Sequence, residues 1–232
     1  MKTLGLIGGM SWESTIPYYR QINETVKQHL GGLHSARIVL YSVDFHDVER
    51  LQHAGRWEQA GALLADAARR LEQAGAHGLV LCTNTMHKVA ASIQAAIAIP
   101  LLHIADPTAE AIKATGLSRV GLLGTRFTME QDFYRSRLQD AHGLEVLTPE
   151  PADRETVHRI IYEELCLGII RDESREAYLA IIDRLRAGGA QAVILGCTEI
   201  SLLVEPRHTG GMPLFDTTHL HAAYAARWAL SV

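Results

Sequence analysis

Short, near-continuously apolar runs punctuate the chain, and longer stretches with apolar residues every three or four positions separate them. The runs are Leu4 to Gly8, Arg37 to Ser42, Gly78 to Cys82, Leu101 to Ile104, Arg119 to Gly124, Glu145 to Leu147 and Gln191 to Gly196. Their length and composition predict buried strands. Between them, Trp57 to Ala74 sets Leu63, Leu64, Ala67 and Leu71 on one helical face before Gly75. Tyr178, Ile181, Ile182 and Leu185 repeat that face before Gly188 and Gly189, and a glycine after the last periodic residue is a helix stop signal. His219 to Leu230 has helical spacing too and is expected to cross back over the first half of the fold. Strands alternating with helices predict parallel sheets covered by helices.

The two helical passages align without a gap when shifted by 114 positions. Leu71 then falls on Leu185, Gly75 on Gly189, Ala76 on Ala190, and Leu79-Val80-Leu81 on Val193-Ile194-Leu195. Leu4-Gly5-Leu6-Ile7-Gly8 likewise matches Val120-Gly121-Leu122-Leu123-Gly124 at a shift of 116. The chain reads as an internal duplication. The predicted fold class is α/β: two pseudo-symmetric α/β domains with mainly parallel sheets, residues 1–98 with 212–232 forming one and 99–211 the other. Ligands of open parallel sheets bind beyond the carboxyl ends of the strands. The residues after Gly8, Leu81, Gly124 and Leu195 are therefore the site candidates, and an active site in the cleft between the halves is expected.

Composition narrows the partners. With 22 basic and 26 acidic residues among 232 and a net charge of −4, and without long single-sign runs, the chain lacks the footprint of nucleic-acid or anionic-membrane binding. A small-molecule partner follows. Leu4 to Ile7 is too short for a signal-peptide core and no later run is long enough to span a bilayer. Three cysteines, Cys82, Cys166 and Cys197, are too few for a disulfide framework and fit a reducing cytoplasm. Of twelve histidines only His219 and His221 fall close together, so no metal site is predicted and surface or capping roles are expected. A pyridoxal cofactor would need a Schiff-base lysine; of the lysines only Lys88 adjoins a motif, and it is read as the start of a solvated helix face.

Gly196-Cys197-Thr198-Glu199 carries the strongest chemical signal, a buried strand delivering a thiol beside a hydroxyl and a carboxylate. The bland alternative is a cysteine packed as a small hydrophobe. Under the 114-position shift Thr83 takes the place of Cys197, and alternation along the strand turns Cys82 to the other face. A shift of 115 would pair Cys82 with Cys197 instead, at the cost of misaligning the glycines. Asn84, Thr85 and Thr198 suit the carboxylate and ammonium of an amino acid, or else serve as turn and cap residues. Met10 reads as a pocket wall, and Thr125 and Thr128 as ligand contacts after the second glycine turn.

The landmarks Leu6-Ile7-Gly8-Gly9-Met10, Asn84-Thr85-Met86-His87, Ile161-Tyr162-Glu163-Glu164-Leu165 and Gly196-Cys197-Thr198-Glu199 together resemble the aspartate/glutamate racemase family over nearly the full chain. That family includes hydantoin racemases, maleate isomerases and arylmalonate decarboxylases. The resemblance implies a cofactor-independent amino-acid racemase that moves a proton at Cα with one group on each face, here Cys197 and, in the slot the family fills with cysteine, Thr83. His87 reads as an orienting residue of the first motif or, equally, as a satisfied structural histidine. An aliphatic hydroxyl ionises nearer to roughly 15.7 than to a thiol's ~8.5, so Thr83 is a poor base; it returns a proton or positions a water that does. Helix N-terminal amides and polar neighbours are expected to lower the Cys197 thiol. Where aspartate racemases carry an arginine and a lysine for charged substrate groups, this chain has Val48 and Cys166, with Gln52 or Arg50 as stand-ins for the first. The alternatives are a one-thiol isomerase or decarboxylase and a non-catalytic amino-acid-binding protein. A homodimer is the expected assembly.

Overall fold

The computed structural model describes residues 1–231. It divides into two compact units, Met1–Ile104 with the C-terminal segment from His221, and Ala105–Leu220. The first contains β1 (Leu4–Gly8), α1 (Trp12–Leu30), β2 (Ile38–Ser42), α2 (Phe45–His53), α3 (Trp57–Gln73), β3 (Gly78–Leu81), α4 (Ala90–Gln94) and β4 (Leu101–Leu102). The second contains α5 (Ala105–Ala114), β5 (Arg119–Gly124), α6 (Arg126–Glu130), α7 (Asp132–Ser136), β6 (Glu145–Leu147), α8 (Pro151–Glu163), α9 (Asp172–Ala187), β7 (Ala192–Gly196), α10 (Ile200–Leu203) and β8 (Leu214–Asp216). Helix α11 (Thr217–Leu230) closes the chain.

Each unit holds one parallel four-stranded sheet, β2-β1-β3-β4 in the first and β6-β5-β7-β8 in the second. The strand order repeats, and so does the register. Leu4 pairs Gly78 and Ile7 pairs Leu81 in the first sheet; Val120 pairs Ala192 and Leu123 pairs Leu195 in the second. These are the same pairings under the 116 and 114 shifts. Packing repeats as well: a Cβ on Gly5 would meet Leu71 Cβ at 3.1 Å, and one on Gly121 would meet Leu185 Cδ1 at 2.9 Å. The same glycine in each half lets the same helix leucine lie close on its strand.

In the first unit, strand alternation splits the apolar residues between two layers. Leu79 and Leu81 pack with Leu64, Ala67 and Leu71 of α3. Val80 and Cys82 pack on the opposite face with Tyr18, Ile22 and Val26 of α1 and with Ala222, Ala225, Ala226 and Ala229 of α11, so the terminal helix does cover the first sheet. His221, expected near the surface, is fully buried there. Its Nε2 donates to the Leu102 carbonyl at 2.7 Å, which leaves Nδ1 to accept the Tyr18 hydroxyl at 2.9 Å. The buried ring thus joins α11, β4 and α1 and satisfies its own polar atoms.

The unit boundaries lie later than the sequence-based 98/99 and 211/212. Strand β4 pairs β3 and stays with the first sheet, while β8 pairs β7 and stays with the second. Strand β8 has no counterpart among the runs read from sequence: its three residues end in an acid and merge directly into α11.

Candidate active site

The central strands β1 and β3, and their counterparts β5 and β7, end beside each other because each pair is parallel. In the first unit those ends carry Met10 and Thr83-Asn84-Thr85, all buried. Gly9 has φ +90°, and a Cβ there would come within 2.2 Å of the Val43 carbonyl, so only glycine makes this turn. Its amide donates to Thr15 Oγ1 at 2.8 Å, and Thr15 in turn donates to the Ser11 carbonyl at 2.9 Å. The turn that presents Met10 is therefore fixed by the first turns of α1. Gln52, buried on α2, reaches Met86 Sδ at 2.9 Å from Nε2, beside the Thr83–Thr85 segment in sequence.

After β3, the Cys82 amide continues the ladder to the Ile7 carbonyl at 2.9 Å. The next residue, Thr83, is 7% exposed. His87 holds its backbone. The Ile104 amide can only donate, so His87 Nε2 accepts it at 3.2 Å, and the proton on Nδ1 goes to the Thr83 carbonyl at 2.7 Å. That pairing is a neutral ring acting as a strut, consistent with an orienting role. Cys82 is 0% exposed and burial pushes its thiol well above the ordinary range.

In the second unit, Thr125 caps α6, its hydroxyl accepting the Thr128 amide at 3.3 Å and lying 3.2 Å from the Thr128 hydroxyl. Thr128 is fully buried. A Cβ on Gly124 would lie 3.2 Å from Thr128 Cβ, and one on Gly196 3.5 Å from its Cγ2. Thr128 therefore sits as packing over the ends of β5 and β7, and Thr125 holds the turn beside it.

Cys197 and Thr198 follow β7 directly. The thiol, 8% exposed, donates to Glu199 Oε2 at 3.0 Å, and the Thr198 hydroxyl donates to the same oxygen at 2.6 Å. Burial, then the Glu199 carboxylate and then Cys166, push the Cys197 thiol well above its ordinary value. This reverses the lowering expected from sequence. The helix that follows, α10, spans only Ile200–Leu203, too little to supply an appreciable dipole, and the nearest strong charge is negative. Glu199 was legible in the motif, but its side chain's turn back onto the thiol was not.

The residues standing where aspartate racemases carry cations are placed differently. Val48 is buried in the first unit's apolar layer. Arg50 is exposed at the surface, 3.8 Å from Asp47. Cys166 lies on a single 3₁₀ turn, Leu165–Leu167, against the apolar cluster that includes Cys197. Lys88 lies over the Trp57 ring, 3.8 Å from its centroid. Among the described residues no three or more of His, Cys, Asp and Glu gather to hold a metal ion, and no helix is long and apolar enough to cross a membrane.

A four-stranded parallel unit built twice, with a thiol at the end of the second unit's central strand, defines a duplicated α/β class. The chain belongs to the Asp/Glu/Hydantoin racemase family, whose profile matches residues 7–225; its named members are racemases, which are isomerases. A crystal structure from Yersinia pestis with a provisional Asp/Glu racemase designation is 62% identical, with a TM-score of 0.92 and 100% of both chains covered. An aspartate racemase homologue from Pyrococcus horikoshii OT3 is 33% identical, with a TM-score of 0.84, again over 100% of both chains. The broad specificity amino-acid racemase RacX of Bacillus subtilis is 26% identical over 149 residues, 62% of this chain and 63% of its own length.

Proposed function

We propose that the chain is a cofactor-independent racemase of a free amino acid of the aspartate/glutamate type, with Cys197 as one proton-transfer group and Thr83 as the other. The observation that carries this reading is the repeated register: Leu81 pairs Ile7 as Leu195 pairs Leu123, and Thr83 and Cys197 each stand two residues beyond those matched positions. A Cα proton is a very weak acid, so catalysis needs a positioned group for removal, another for return, and stabilisation of the charge that develops between. The hydroxyls and amide of Thr83, Asn84, Thr85 and Thr198, with Thr125, suit the α-carboxylate and ammonium, Met10 forms an apolar wall, and Gln52 takes the polar side chain.

The Thr83 hydroxyl favours a second reading, a one-thiol isomerase or decarboxylase of a related acid. Loss of chirality across a panel of L- and D-amino acids without added cofactor tests the first reading. Deuterium entering Cα of recovered amino acid in heavy water separates racemisation from the second. Saturable binding with no chemical change would sink both in favour of a binding protein.

The proposed setting is the cytoplasm and the proposed assembly a homodimer. Trp12, Ile16 and Tyr19 stand exposed on one face of α1, beside exposed Leu40 on edge strand β2, and a contiguous apolar patch of this kind marks an interaction surface. Glu13 and Arg20 lie equally far from the midpoint between Ile16 and Pro17. Two α1 helices crossing antiparallel about a two-fold axis would set acid against base at both ends.

A further inference from the structure

We infer that Thr217 is a positioning residue for Cys197, holding the end of β7 on the side where the sheet has run out. The inference rests on the proposed racemase reading and adds a residue to it. Strand β7 lies between β5 and β8, and its two ladders end at different places. On the β5 side pairing runs on to Gly124 and Gly196, one residue short of the thiol; on the β8 side it stops at Leu195 and Asp216. Beyond Asp216 the chain turns into α11, and the Asp216 carboxylate accepts the Thr218 and His219 amides at 2.8 and 3.1 Å, as a helix cap does. Thr217, the first residue of that helix, is fully buried and donates its hydroxyl to the Leu195 carbonyl at 2.8 Å. A side chain thus continues the ladder where the backbone has left it.

Gly196 brings no side chain to this stretch, since a Cβ there would meet Leu122 Cδ1 and the Leu123 carbonyl, each at 2.9 Å. The place of the thiol is set by the backbone that leads to it, and Thr217 fixes that backbone from the β8 side. The first unit reaches the same end by another route. Val80 pairs Leu102 as Ile194 pairs Phe215, so Ile104 stands where Thr217 does. Ile104 has no hydroxyl to give. Its amide donates to His87 Nε2 at 3.2 Å instead, and His87 Nδ1 donates to the Thr83 carbonyl at 2.7 Å. In each unit the residue two places beyond Leu102 or Phe215 is tied to the segment that carries the reacting side chain, directly in the second and through His87 in the first. A proton-transfer group acts only at near-attack distance, and a misplacement of about 1 Å can cost roughly 100-fold in rate.

Thr217→Val removes the hydroxyl and keeps the outline of the side chain. Cα hydrogen exchange in heavy water, measured from each pure enantiomer of aspartate and of glutamate, reads the two proton-transfer groups separately. Cys197→Ala marks the enantiomer that depends on the thiol. In Thr217→Val, exchange from that enantiomer should fall about 10- to 100-fold while exchange from its mirror image stays within about threefold of wild type. Thr217→Ser, which keeps the donor, should hold both within about threefold. A merely structural role lowers both hands alike, by thinning the folded population. An equal fall in both therefore overturns the inference, as does no fall in either, or a serine variant as impaired as the valine one. Should near-UV circular dichroism show that the valine variant is unfolded, Thr217→Ala, which removes the same hydroxyl and adds no bulk, decides by the same comparison. Wild-type protein that exchanges no Cα hydrogen sinks the racemase reading and this role with it, whereas an active wild type whose two hands respond alike to Thr217→Val sinks only the role of Thr217.

Discussion

Replacing Cys82 by serine tests the register on which the site assignment depends. Cys82 is 0% exposed, and its neighbours are Leu4, Leu6, Tyr18, Val80 and the alanine face of α11. Its sulfur lies 3.9 Å from the Val80 carbonyl, and a hydroxyl on the shorter C–O bond falls well outside hydrogen-bonding range of that acceptor. Serine therefore buries an unsatisfied hydroxyl, at a cost of about 1–3 kcal/mol. For a chain of this length each kcal/mol moves the melting temperature by roughly 2–4 °C. The expected result is a melt lowered by several degrees, while kcat per folded molecule, measured by chiral chromatography well below the melt, stays within about threefold of wild type. Cys82→Ala, which buries no polar atom, should lower the melt less than serine. A folded Cys82→Ser protein that has lost all turnover would refute the reasoning and restore the register that pairs Cys82 with Cys197.

Cys197→Ala should fold as wild type by circular dichroism and lose about 10²–10⁴-fold in kcat, the usual worth of a positioned acid–base group; near-normal turnover would end the thiol assignment. With a thiol for one enantiomer and a hydroxyl for the other, initial Cα hydrogen exchange from the two pure enantiomers should differ strongly in wild type and draw together in Thr83→Cys. Matched wild-type rates at saturation would count against an asymmetric site. Ile16→Glu, on the exposed face of α1, should weaken self-association by roughly 10-fold or more in sedimentation equilibrium, and an unchanged dimer would move the interface elsewhere.

Much of the scaffold was legible because buried parallel strands write themselves as apolar runs, and the duplication supplied a second copy against which to align each one. The 114-position shift marked which residues of one half correspond to those of the other, while the pairing of the strands is seen only in the structure. Strand β8 escaped because three residues flanked by Pro213 and a helix start have no pattern of their own; their place comes from pairing with β7. The buried His221 escaped for a related reason, since its partners Leu102 and Tyr18 lie 119 and 203 positions away. At the site, residue types and strand-end positions could be read. The environment of the thiol could not, because it turns on one rotamer of Glu199 and on a helix of only four residues.

Racemisation treats an object and its reflection alike, and a chain of L-residues contains no reflection. What it can contain is a repeat along the sequence, and the pairing of β1 with β3 recurs as that of β5 with β7. Thr83 and Cys197, each two residues beyond the matched pairings of Leu81 and Leu195, are passengers on that repeat: the ladder is complete without their side chains. Two copies of one loop can then carry different residues at the same place. Threonine stands at position 83 where the other copy has Cys197, a difference of one side chain on a frame that is otherwise written twice.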